Sequence, residues 1–142
     1  RLKRAGGKII LFPDIELTYY SRSTFKELWK NNFGNGFWVI AAKRYAEVPY
    51  SRRHLVPLFF TVFLTLGLLI CPVSSIWSMV FLSVVSLYFI LISLSSTKHA
   101  IEERSLPVFF ASILVYIVLH ISYGLGSLWG LANSANNMIK GK

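Results

Sequence analysis

Polar and apolar positions divide the chain at Leu55. Beyond it lie three stretches without charge: Leu55 to Cys71, Ile76 to Leu94, and Leu106 to about Ile121. A hydrocarbon core of about 30 Å needs about 17 to 25 apolar residues in a helix. The pattern therefore predicts three transmembrane helices, over residues 55–71, 76–94 and 106–123. Cys71-Pro72 and the short Val73-Ser74-Ser75 turn make a hairpin of the first two. A polar connector, Ser95 to Ser105, with Lys98, His99, Glu102, Glu103 and Arg104, precedes the third. Pro57 and Pro107 fall near helix starts, where a missing N–H matters least.

Before Leu55 the periodicity changes twice. Ile15, Leu17 and Tyr19 alternate with Glu16, Thr18 and Tyr20, which is strand periodicity. Gly6-Gly7 and Pro13-Asp14 supply turns, so two short strands are expected. Such a pair is marginal alone and needs a sheet from elsewhere. From Phe25 onward, Phe25, Leu28, Trp29, Phe33, Gly36, Phe37, Ile40 and Ala41 share a helical face, with Lys26, Lys30, Asn31, Asn35 and Lys43 elsewhere. Thr24 and Glu27 have capping-box spacing. A basic amphipathic helix with Trp and Phe on one side, directly before a span, has the composition of an interfacial helix; the bland alternative is a surface helix packed on another domain. It is expected to reach about Tyr45, and Gly34 and Gly36 predict a kink near Asn35.

The expected fold class is thus mainly α and membrane-embedded: two short N-terminal strands, a basic amphipathic interfacial helix, then three transmembrane helices. Three regions follow, 1–22, 23–54 and 55–142. Of 142 residues, 54% are hydrophobic and 15% charged, against about 25% charged in soluble domains, which excludes a self-sufficient soluble domain. Of 15 Lys and Arg, 11 precede Leu55. Lys43, Arg44, Arg52 and Arg53 flank the first span, so the N-terminal side is expected to be cytoplasmic in a multi-pass protein of the cell membrane. Lys98 and Arg104 would return the second connector to that side. The net charge of +9, clustered beside aromatic spans, suits anionic lipid head groups rather than nucleic acid. Cys71 is the only cysteine, so no internal disulfide forms. With neither an initiating Met nor a signal-peptide pattern at Arg1, the chain is expected to be a piece of a longer protein.

Several polar residues invite chemistry. Asp14 and Glu16 lie two apart on a strand pattern without further ligands, and Glu102 and Glu103 would diverge on a helix; both pairs read as solvated, and no metal site is expected. His120 lies late in an apolar stretch, where an ionisable residue is a functional hypothesis by default, set against a structural, hydrogen-bonded histidine. His99 reads as merely polar. Gly124-Leu125-Gly126 follows no strand and is not a dinucleotide fingerprint. Gly126 and Gly130 instead have the spacing that lets membrane helices approach closely, with the amphipathic helix as one candidate partner.

These residues also carry a resemblance. The run Arg1-Leu2-Lys3-Arg4-Ala5-Gly6-Gly7-Lys8-Ile9, the Pro-containing segment Pro13 to Arg22, and Leu28-Trp29-Lys30-Asn31-Asn32-Phe33-Gly34-Asn35-Gly36-Phe37-Trp38 are similar to the end of the catalytic domain of membrane-bound family 2 glycosyltransferases. These include enzymes of bacterial exopolysaccharide synthesis of the succinoglycan type. Asn31 stands where Gln is usual. His120 to Leu131 resembles the carboxyl end of the same enzymes. The resemblance implies an upstream nucleotide-sugar domain with an acidic base and a divalent metal, Mg or Mn. It implies no catalytic residue and no bound cofactor in this chain, whose part would be to anchor the enzyme and position a lipid-linked or polysaccharide acceptor. On charge and position, Arg22, Lys30, Asn31, Trp38 and Arg44 are the candidates for contact with diphosphate or sugar. The rival expectations are a non-catalytic membrane anchor or assembly subunit and a transporter fragment.

Overall fold

The computed structural model describes residues 6–8, 10, 12, 14–42 and 52–139. Among these residues four α-helices carry the architecture: α1, Phe25–Ala41; α2, Val56–Ile70, entered through a 3-10 turn at Arg52–His54; α3, Ser75–Glu102; and α4, Leu106–Ile139.

No strand forms among the described residues, which overturns the expected N-terminal pair. The segment before α1 is extended, and Ile15, Leu17 and Tyr19 are 65%, 88% and 72% exposed. Alternation supplies a face, but a strand needs a neighbour to accept its ladder and cover that face. The backbone bond found there is the local one from the Ile15 N–H to the Phe12 carbonyl, 3.3 Å.

Thr24 starts α1, its hydroxyl accepting from the Glu27 N–H at 3.2 Å. Contrary to the expected kink, α1 runs unbroken through Gly34 and Gly36 to Ala41. The reason is tertiary: Gly36 is pressed against the Tyr123 carbonyl of α4, where a Cβ would collide. The contact pairs advance together along both helices. Asn32 donates to the Leu119 carbonyl and, at 3.0 Å, to Ser122 Oγ, and Ser127 Oγ donates to the Gly36 carbonyl at 3.2 Å. α1 and α4 are therefore parallel, α1 lying lengthwise on α4.

Of the three expected spans, two helices have the length and composition for a crossing among the described residues. α3 and the stretch Leu106–Ala135 of α4 are long and apolar enough to cross a membrane, and each has only 11% of its apolar window buried within the protein. α2 has 15 residues, about 22 Å at 1.5 Å per residue, short of a core of about 30 Å. Phe60, in its first half, packs against Tyr88 and His120, at ring separations of 4.6 and 6.3 Å, so α2 runs beside only part of the α3–α4 pair. Trp77 and Ser78 bind it to α3: the Trp77 indole donates to the Gly67 carbonyl at 3.3 Å, and Ser78 Oγ to the Cys71 carbonyl at 2.7 Å. Phe63 stacks on Phe81, which presses on Gly67.

Both helices outrun the expected ends. The polar connector is helical as far as Glu102 because its side chains serve the helix. Thr97 Oγ1 donates to the Ser93 carbonyl at 2.8 Å, and Lys98 pairs with Glu102 at 3.9 Å, four residues on. The turn shrinks to three residues. Ser105 N–H bonds the Ala100 carbonyl at 3.0 Å and Arg104 N–H that of Ile101 at 3.2 Å, with Arg104 at φ 48°. This Schellman closure puts arginine where glycine avoids a penalty of about 1 kcal/mol. α4 passes through Gly124, Gly126 and Gly130 to Ile139, since each glycine is filled by a neighbour: Thr61 at Gly124, the Phe33 carbonyl at Gly126, the Phe37 carbonyl at Gly130.

α3 and α4 run antiparallel, Tyr88 of α3 meeting His120 of α4 and His99 meeting Tyr116.

Candidate functional site

Away from α4, the outer face of α1 carries Glu27, Asn31, Gly34 and Trp38 at intervals of four, three and four residues, which align them in one helical stripe. Arg22, Lys30 and Asn35 flank the stripe, and together the seven residues line an open cleft of about 460 Å³. The extended segment folds over its rim. Arg22 donates through Nη2 to Asn31 Oδ1 at 2.7 Å and through Nη1 to the Tyr19 hydroxyl, its guanidinium 5.8 Å from the centre of the Tyr19 ring. Among the described residues Lys30 has no ion pair. Trp38 is 59% exposed and braced edge-on by Phe37 at 5.2 Å.

Two cations, the free amide N–H groups of Asn31 and Asn35, and an exposed indole can hold an anionic group against an aromatic edge. Glu27 is the single carboxylate lining the cleft, so the cleft offers no acid–base pair. Nor do the described residues contain a group of three His, Cys, Asp or Glu that could hold a metal. The divalent metal implied for the upstream domain thus has no ligand set among them.

Of the five contact candidates, Arg22, Lys30, Asn31 and Trp38 line this one cleft; Arg44 lies outside the described residues. Sequence reasoning missed Glu27, Gly34 and Asn35 as lining residues, although the helical stripe from Glu27 to Trp38 was there to be read. Gly126 and Gly130 sit at the backbone of α1, on the face of the pair away from the cleft.

A second polar line runs along the face of α4 that carries Tyr116, His120 and Tyr123, part-buried at His120 and Tyr123 and exposed where His99 meets Tyr116. His99 Nε2 is 3.2 Å from the Tyr116 hydroxyl, Tyr88 is 3.4 Å from His120 Nδ1, and Tyr123 is 3.3 Å from His54 Nδ1. His120 Nδ1 also lies 2.8 Å from the Tyr116 carbonyl. A carbonyl only accepts, so Nδ1 carries the proton. Each of the chain's 3 histidines thus meets a tyrosine of another helix or turn, and the line ties α3 and the 3-10 turn to α4.

Length, composition and exposed apolar faces give this protein the helices of a membrane protein. No protein-family model matches the chain, and neither the curated proteins nor the solved structures yield a match.

Proposed function

We propose that this chain is the membrane part of a glycosyltransferase of the family 2 type, and that the α1 cleft holds the diphosphate of a lipid-linked acceptor. The observation that carries the reading is the assembly of Arg22, Lys30, Asn31 and Trp38 in one cleft on a helix packed against a candidate span. A diphosphate demands cations and N–H donors. A prenyl tail demands an adjoining apolar surface, which Trp38 and the exposed faces of the bundle supply. On this reading sugar transfer itself belongs to an upstream nucleotide-sugar domain, whose base activates the acceptor hydroxyl, while this chain anchors the enzyme and presents the acceptor. The excess of Lys and Arg before Leu55 supports a cytoplasmic N-terminal side at the cell membrane.

The test is binding of a polyprenyl diphosphate to the chain reconstituted in vesicles. Lys30→Ala and Asn31→Ala are expected to weaken it about tenfold each, as removal of a charge-assisted hydrogen bond does, without releasing the protein from the membrane. Unchanged affinity in both variants contradicts the assignment and favours a non-catalytic anchor.

A further inference from the structure

A second cleft, of about 430 Å³, opens at the α3–α4 turn, far along the chain from α1 and unused by the reading above. Arg104 and Ser105 form its polar edge. Ile101, Leu106 and Phe109 form its floor, and Ile101 and Leu106 are 71% and 69% exposed. The Arg104 guanidinium makes no ion pair or hydrogen bond among the described residues, and the Ser105 hydroxyl is likewise free to donate. Thr97 also lines the cleft, but its hydroxyl proton is committed to the Ser93 carbonyl. Two acids stand near: Glu102 lies 3.9 Å from Lys98 and 3.6 Å from His99, and Glu103, next to Arg104 in sequence, is exposed and lines no part of the cleft.

We infer that this cleft binds one anionic phospholipid, its phosphate on Arg104 and Ser105 and an acyl chain along Ile101, Leu106 and Phe109. Charge complementarity selects the head group. A free guanidinium matches a phosphate oxygen pair, and the absence of a lining acid leaves no partner for the ammonium of a zwitterionic lipid. Continuity selects the source, because the apolar floor runs into the exposed faces of two helices suited to cross a membrane. A free phosphate satisfies the edge alone and leaves the floor uncovered.

The backbone supplies an unusually clean variant. Arg104 has φ 48°, which glycine adopts freely, so Arg104→Gly removes the cation without straining the turn. The full chain in detergent is titrated with short-chain phosphatidylglycerol, with phosphatidylcholine of equal chain length and with inorganic phosphate, and bound lipid is counted by native mass spectrometry. The expected result is one retained phosphatidylglycerol, held about tenfold more tightly than phosphatidylcholine and not displaced by equimolar phosphate. Arg104→Gly is expected to lose that preference while its thermal midpoint stays level or rises. Arg104→Lys should keep part of it, and Ser105→Ala should weaken it less than Arg104→Gly. The inference is overturned by equal retention of the two lipids, by displacement with inorganic phosphate, or by a preference that survives both Arg104→Gly and Ser105→Ala.

Discussion

At the scale of single residues, the same amino acid has opposite consequences at neighbouring positions of α1. Gly34 has nothing within 4 Å of where a Cβ would stand, whereas Gly36 faces the Tyr123 carbonyl and Gly126 the Phe33 carbonyl. Gly34→Ala should leave the fold intact or stabilise it by up to about 1 kcal/mol through helix propensity. Gly126→Val should cost about 1 to 3 kcal/mol by forcing the helices apart; thermal unfolding in detergent measures both. This also explains what could be read in advance. The spacing of Gly126 and Gly130 announced a close helix approach on its own. Gly36 announced only a weak helix, because the carbonyl that fills its space comes from a residue 87 positions away.

Among elements, α1 and α4 are joined by reciprocal small-residue contacts and by the side-chain amide of Asn32. Their parallel packing predicts a specific proximity. In a Cys71→Ser background, cysteines replacing Asn32 and Ser122, whose side chains meet at 3.0 Å, should cross-link on mild oxidation; a pair replacing Asn32 and Leu131 should not. The existence and type of the helices were legible from periodicity, and so were the Thr24 start of α1 and the hairpin at Cys71-Pro72. Two errors had physical sources. Alternation before Arg22 predicts strands, but among the described residues no neighbour stands there to pair with them. Polar composition from Ser95 to Glu102 predicts a connector, but the Thr97 hydroxyl and the Lys98–Glu102 pair close back on their own helix.

For the whole molecule, the exposed apolar faces suit a surrounding that is itself apolar. Ile76, Met79, Leu82 and Leu94 of α3 are each more than 60% exposed, far more contiguous apolar surface than a soluble monomer presents. Membrane class was legible from composition, but the number of crossings was not. α2 is as apolar as the others, and only its length and its place beside part of the α3–α4 pair exclude it as a span. The cleft on α1 was legible in four of its lining residues because charge and aromaticity stand out in a membrane sequence. Glu27 was hidden by its role at the helix start. The central proposal is that α3 and α4 cross the membrane as a pair, so that Val73 and Glu103 face opposite sides. It is tested most directly by labelling single cysteines in sealed, oriented vesicles with a membrane-impermeant thiol reagent, again in the Cys71→Ser background. Val73→Cys and Glu103→Cys are expected to be labelled from opposite sides. Labelling of both from one side contradicts the account.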